Sequence, residues 1–262
     1  MKHLLRWPGL REVGKRGLLL LDYDGTLTPI VERPELALLP PDVARTLRTL
    51  SRRLKVVIMS GRSLRDLRKL VGEKGVYYGG NHGLEIRGPG ISFVLPEATR
   101  LRPLLRRVSR ELRKRTKGVK GALVEDKGLS LSLHYRLVDP EREGEVRRIL
   151  EEVLEPHRDR LRITEGKKVL EVRPNLRWDK GRASLLLLRL LDPERKLLPV
   201  YLGDDRTDED AFRVLNPRGG VTVLVSERPA NSNARFFLRS PKEVALFLQM
   251  LEILSEEAKK RR

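Results

Sequence analysis

"LLLLDYDGTLTPI", residues 18–30, runs four leucines into two carboxylates set two positions apart. Leu18 to Leu21 form a short continuous apolar run, the pattern of a strand buried on both faces of a parallel sheet. Asp24-Gly25 then has the composition of a turn. Asp22 and Asp24 therefore fall at the carboxyl end of a buried strand, where open α/β sheets bind ligands in the crevice beyond the strand ends. A lone D-x-D-G also serves as a plain strand breaker, so the reading needs support from elsewhere in the chain. A calcium loop starting at Asp22 would need Glu at its twelfth position, and Arg33 stands there.

Outward from this stretch, apolar runs alternate with helical patterns. Residues 56–59 and 76–78 have strand character, and between them Leu64, Leu67, Leu70 and Val71 lie on one helical face. This rhythm predicts an α/β fold, a Rossmann-like parallel-sheet core wrapped by helices with right-handed crossovers. Leu101, Leu104, Leu105, Val108 and Leu112 then form a helical stripe, with Arg102, Arg106, Arg110 and Arg113 on another face. After it the texture changes. "GALVEDKGLSLSLHYR" (121–136) predicts two strands around a turn near Lys127-Gly128, residues 140–154 a helix, and "LRITEGKKVLEVRP" (161–174) a second hairpin. Two hairpins and two helices make an α+β unit of their own, expected as an insertion over 103–175 that leaves a discontinuous core of 1–102 and 176–262. The core rhythm resumes with a helix over 180–191, a strand at 199–202, a helix after Thr207 and a strand at 221–225.

Composition narrows the chemistry. The 262 residues contain no cysteine, which excludes disulfides, thiol nucleophiles and thiolate-held zinc. Only four histidines occur, at 3, 82, 134 and 157, without metal-site spacing, so a metal here would be held by oxygen. Residues 1–10 resemble neither a signal peptide nor an anchor, and no run reaches membrane-spanning length; a cytoplasmic protein without a membrane partner is expected. The formal charge of +19, from 55 Lys and Arg against 36 Asp and Glu, can attract nucleic acid, anionic membranes or phosphorylated substrates.

A second acidic strand end chooses among these. "VYLGDDRTDEDAF" (200–212) sets Asp204 and Asp205 at the end of a strand and Asp208 at the start of a helix, where Asp208 could equally serve as a cap. Like-charged carboxylates at converging strand ends repel unless a cation sits between them, and hard oxygen ligands point to magnesium, hence to phosphate. "VIMSGRS" (57–63) supplies Ser60 at a strand end, with Gly61 allowing close backbone approach before a helix whose N-terminus favours anions; Ser60 could also be an ordinary cap. Lys180 begins a helix, an end at which a cation opposes the dipole unless an anion lies beside it.

Asp22-Tyr23-Asp24-Gly25-Thr26, Ser60-Gly61-Arg62, Lys180 and Gly203-Asp204-Asp205 with Thr207-Asp208 resemble the four ordered motifs of haloacid-dehalogenase-like phosphatases. "GNHGLEIRGPG" (80–90), "VEDKGLSLSLHYR" (124–136), "LEVRPNLRWDKGRA" (170–183) and "GDDRTDEDAF" (203–212) are closer still to the pattern of trehalose-6-phosphate phosphatases. The resemblance implies that Asp22 attacks phosphorus to give an aspartyl phosphate and that Asp24 serves as acid and then base. Ser60 and Lys180 would hold the phosphoryl group. It also implies magnesium on the Asp22 carboxylate, the Asp24 carbonyl and Asp204, with Asp205 and Asp208 as supports behind them. The insertion becomes a specificity cap, in which Glu125, Lys127 and Glu171 match positions that hold glucose hydroxyls. Gly61, Arg62, Asn81, His82, Glu85 and Arg136 complete the expected substrate-binding set. The substrate implied is a small sugar phosphate, and a trehalose-6-phosphate synthase is the protein partner the resemblance brings into view.

Two alternatives stand beside this reading. Another cap-bearing phosphatase, acting on a sucrose, mannosyl-glycerate or hexose phosphate, would carry the same core motifs. A nucleic-acid-binding protein would use the basic face of 102–120, but that segment lacks interleaved aromatics and any recognisable nucleic-acid motif, which favours a solvated face.

Overall fold

In a computed structural model of the chain, which describes residues 1–228 and 231–260, the leucine run is the middle strand of a sheet. In chain order the strands are β1 (Lys2–His3), β2 (Gly17–Asp22), β3 (Lys55–Met59), β4 (Tyr77–Gly80), β5 (Glu85–Gly88), β6 (Ile91–Val94), β7 (Leu123–Asp126), β8 (Leu131–His134), β9 (Leu161–Gly166), β10 (Val169–Pro174), β11 (Leu198–Gly203), β12 (Val221–Val225) and β13 (Phe236–Leu238). The α-helices are α1 (Leu10–Arg16), α2 (Pro41–Ser51), α3 (Leu64–Val71), α4 (Pro96–Arg100), α5 (Arg102–Thr116), α6 (Glu143–Leu154), α7 (Lys180–Leu191), α8 (Glu209–Leu215) and α9 (Pro241–Lys260). None of the described helices is long and apolar enough to cross a membrane.

The chain divides into two units, Met1–Phe93 with Trp178–Arg262, and Val94–Arg177. The first unit carries a sheet of order β1-β13-β12-β11-β2-β3-β4-β5-β6. Its strands from β1 to β4 pair in parallel, and β5 returns antiparallel to β4. All six residues of β2 are buried between β11 and β3. Alternation along the strand sends Leu19 and Leu21 into the core beneath α1, α2, α3 and α9, and Leu18 and Leu20 into the core beneath α7 and α8. This is why the run is apolar throughout rather than alternating. From β2 the chain proceeds to β3 and β4 on one side, and later fills β11 and β12 on the other. The carboxyl ends of β2 and β11 therefore flank a topological switch point, the position where open α/β sheets form ligand sites.

The second unit is a four-stranded antiparallel sheet of order β7-β8-β10-β9, backed by α5 and α6. Leu104, Leu105, Val108 and Leu112 of α5 are buried with Val146, Ile149 and Leu150 of α6 against Val124, Leu131, Leu133, Leu170 and Val172 of the strands. Arg106, Arg110 and Arg113 are exposed on the opposite side of α5. The unit begins nine residues before the expected 103, because the short helix α4 leads into α5 and belongs with it, and it ends at 177 rather than 175. Phe93 and Trp178, the first unit's residues at the two crossings, stack with ring centroids 5.8 Å apart and an interplanar angle of 25°.

Candidate active site

Asp22 ends β2 and is only 4% exposed. Its Oδ1 accepts a hydrogen bond from Lys180 Nζ at 2.5 Å, and the same ammonium donates to Asp208 Oδ1 at 2.7 Å. Lys180 is the first residue of α7, capped by Asp179, whose side chain accepts the Arg182 N–H. A cation at this helix end opposes the dipole, and the two carboxylates supply the offsetting anions. Tyr201, on β11, donates its hydroxyl to Asp208 Oδ1 at 2.8 Å.

Asp208 stands in the N-cap position of α8, yet its side chain makes no cap bond to the helix. It turns back instead, and Oδ2 accepts the N–H groups of Asp204 and Asp205, both at 3.0 Å. Gly203 makes this turn feasible, because a Cβ there would stand 2.2 Å from the Asp208 carboxyl carbon. Asp205 Oδ1 accepts from the Thr207 N–H at 2.8 Å and the Thr207 hydroxyl at 2.7 Å, which rigidifies the same loop. Gly25, at φ +85°, lies against the Asp204 carboxylate so closely that a Cβ would come within 2.2 Å of Oδ2. The turn after Asp22 is thus shaped to admit Asp204.

Carboxylate oxygens of Asp22, Asp204 and Asp208 lie within 4.8 Å of one another. Burial pushes the Asp22 carboxyl well above its usual range, and the neighbouring Asp208 and Asp204 add to this against the pull of Lys180. Burial likewise raises Asp208 to about 7, with Lys180 opposing. Lys180 moves the other way from what burial dictates, since Asp208 and Asp22 hold it firmly charged. One ammonium among three carboxylates leaves the site short of positive charge. A hard divalent cation would balance it, and an all-oxygen donor set suits magnesium. Asp208 already accepts four hydrogen bonds, so Asp22 and Asp204 are the carboxylates that would face such an ion, with Asp208 behind them.

Asp24 projects differently. Both its oxygens accept from Arg62, Oδ2 from Nε at 2.8 Å and Oδ1 from Nη2 at 2.6 Å. Ser60, 1% exposed at the end of β3, donates from Oγ to Asp24 Oδ2 at 3.4 Å and accepts the Arg62 N–H at 3.2 Å. The cap of α3 is Ser63, accepting the Asp66 N–H, so Ser60 is not needed for capping. Between Ser60 and Arg62, Gly61 makes the bend that leads from β3 into α3. Asn81 and His82 take φ +49° and +56°, left-handed conformations that cost L-residues about 1–2 kcal/mol each. They are held there because Asn81 N–H donates to Arg62 O at 2.7 Å and His82 N–H to Ser60 O at 2.9 Å. Glu85 Oε1 accepts from Asn81 Nδ2 at 2.7 Å and Leu64 N–H at 2.9 Å, so it braces this loop.

Within the second unit, register places Glu125 opposite Ser132 and Ser132 opposite Glu171, one row across three strands. Lys127 Nζ donates to Glu171 Oε1 at 2.6 Å. Glu125, Lys127 and Glu171 are therefore gathered on one sheet. Arg136 is directed elsewhere, donating to the Lys167 carbonyl at 2.7 Å and tying one hairpin to the other. Two polar groups of this chain escaped the sequence reading. Tyr201 lies in an otherwise aliphatic strand, where a buried hydroxyl demands a partner. His134 contacts Glu125, a relationship visible only once the β7–β8 register is known.

The family profile described as trehalose-phosphatase matches residues 20–242. The chain is similar to trehalose-phosphate phosphatase B of Arabidopsis thaliana, 39% identical over 250 residues that cover 91% of this chain and 67% of that protein. It is similar to probable trehalose-phosphate phosphatase 9 of Oryza sativa subsp. japonica, 40% identical over 263 residues covering 91% of this chain and 70% of that one. Among solved structures, the C-terminal domain of C. albicans trehalose-6-phosphate phosphatase superposes with a TM-score of 0.80 at 28% identity, covering 96% of this chain and 98% of that one.

Proposed function

The chain belongs to the trehalose-phosphatase family, and from that premise we propose that it hydrolyses trehalose 6-phosphate to trehalose and inorganic phosphate through an aspartyl-phosphate intermediate. The observation that carries the chemistry is Lys180 Nζ shared between Asp22 Oδ1 and Asp208 Oδ1 beside Asp204, at the switch point of the sheet. A carboxylate is a weak nucleophile and must be fixed in position with its charge screened from the phosphoryl oxygens. The Asp22–Lys180 contact meets both needs.

An Asp22 oxygen attacks phosphorus while the ester bond to the sugar oxygen breaks. Asp24 gives its proton to the departing alkoxide and later takes one from the water that cleaves the phosphoaspartate, restoring the Asp22 carboxylate. The roles fall two positions apart because the chain leaves β2 and bends at Tyr23, so that Asp22 stays with Lys180 and Asp24 faces Arg62 and Ser60. To carry the proton, Asp24 must release one oxygen from the Arg62 fork. The hydroxyl of Ser60 and the ammonium of Lys180 are the donors this chain offers to phosphoryl oxygens. Magnesium, held by Asp22, the Asp24 carbonyl and Asp204, would supply further positive charge against those oxygens. Glu125, Lys127 and Glu171 would accept and donate hydrogen bonds with the sugar hydroxyls.

The test is phosphate release by the purified protein, with and without magnesium, across trehalose 6-phosphate and the sucrose, mannosyl-glycerate and hexose phosphates. Preferential, magnesium-dependent hydrolysis of trehalose 6-phosphate is expected. Preference for another member of the panel would reassign the substrate, and turnover without metal would remove the ion from the mechanism.

A further inference from the structure

In the second unit, the strand residues that alternate with the buried Val124, Leu131, Leu133, Leu170 and Val172 lie on the other face of the sheet. Glu125, Ser132, His134, Glu171 and Arg173 share that face. The two glutamates flank Ser132 in one row, and each has an oxygen engaged by a base from a neighbouring row. Lys127 takes Glu171 Oε1, and His134 takes Glu125 Oε2 at 2.8 Å from its Nε2. His134 lies diagonally across the β7–β8 ladder from Glu125, since its direct partner is Leu123. An ionised carboxylate only accepts hydrogen bonds, so Nε2 must carry the hydrogen in this pair.

We propose that His134 is a positioning residue for sugar specificity: it fixes Glu125 Oε2 so that the carboxylate is held ready for a sugar hydroxyl. The pair is partly buried, its side chains 22% and 28% exposed, and it ties Glu125 of β7 to His134 of β8. A glutamate unrestrained about its side-chain torsions would have to be ordered when substrate binds, and that ordering weakens affinity. His134 contributes to reducing this loss before the sugar arrives. The inference rests on the sugar-phosphatase reading of the preceding section.

The experiment compares wild type, His134→Leu and His134→Gln on trehalose 6-phosphate and on p-nitrophenyl phosphate, with thermal melts of each. The expected result is a KM for trehalose 6-phosphate raised roughly tenfold in His134→Leu, the scale of one lost hydrogen bond to a charged group. Turnover of the aryl phosphate and the melting temperature should stay at wild-type values. His134→Gln, whose amide can donate to Glu125 without carrying charge, should recover most of the affinity. An unchanged KM in His134→Leu, or a loss shared equally by both substrates, overturns the proposal. So does a His134→Gln variant as weak as His134→Leu. If wild type itself fails to hydrolyse trehalose 6-phosphate, the function reading has failed first, which the wild-type assay reveals separately.

Discussion

Lys180 Nζ and Asp22 Oδ1 meet at 2.5 Å although 158 residues separate them in the chain, and neither side chain is more than 6% exposed. A buried ion pair of this kind is strongly destabilised when one partner is removed, because the other is left uncompensated. Lys180→Met is therefore expected to lose about 3–5 kcal/mol of stability without metal and to lose turnover. Magnesium should return part of that stability, since it brings positive charge to the same carboxylates. Denaturant melts with and without the ion check this; a variant as stable as wild type would show that the pair contributes nothing to the fold.

Asp22→Asn should remain folded and lose turnover by at least about a thousandfold, as the proposed attack by Asp22 requires. Phosphate release measured beside circular dichroism separates the two quantities. Near-full activity in a folded variant would assign the attack to another group.

The metal-free protein should carry a distinct pH signature. Asp208 is raised from 3.8 to about 7 by burial, and Asp22 is raised by burial as well. Between about pH 4 and 7 the folded chain thus binds more protons at these sites than the unfolded chain does. Their contribution to stability is complete at low pH and declines as pH rises through that window. Magnesium requires the ionised carboxylates, so its increment to the melting temperature should be small near pH 5 and grow toward pH 8. Melts with and without the ion across this range measure the increment. One that does not vary with pH would contradict the shared-charge account.

Glu125→Ala combined with Glu171→Ala should cripple hydrolysis of trehalose 6-phosphate, each lost charge-assisted hydrogen bond costing about 1.5–3 kcal/mol. A small aryl phosphate, which has no hydroxyls for these carboxylates, should be cleaved nearly as well as by wild type. Equal loss on both substrates with an unchanged melt would remove these residues from sugar recognition.

The parallel core was legible because its signals are local. Leu18 to Leu21 announced a strand covered on both faces, and Asp204-Asp205 after Val200 to Leu202 announced a second acidic strand end. Lys180 was legible as an anomaly of helix position, and its two carboxylate partners account for it. Asp208 illustrates the limit of such reasoning: its place before α8 fits a cap, yet the Gly203 backbone lets the carboxylate fold back onto the preceding loop. The roles of Glu85 and Arg136 depended on backbone atoms distant in sequence, the Leu64 N–H and the Lys167 carbonyl. No periodicity encodes contacts of that sort. His134 belongs with them, because a shift of one residue in the β7–β8 register would turn it away from Glu125.

The stack of Phe93 on Trp178 brings together the two ends of the segment between them. The chain departs from and returns to the first unit at a single spot, so the intervening segment is a loop whose ends already touch. Exchanging that segment for another leaves the first unit's sheet with the same two endpoints, and the entropic penalty for a longer replacement grows only with the logarithm of its length. Such a junction behaves as a cassette boundary. Chimeras cut at 93 and 178 would keep Asp22, Asp204, Asp208 and Lys180 together on the first unit.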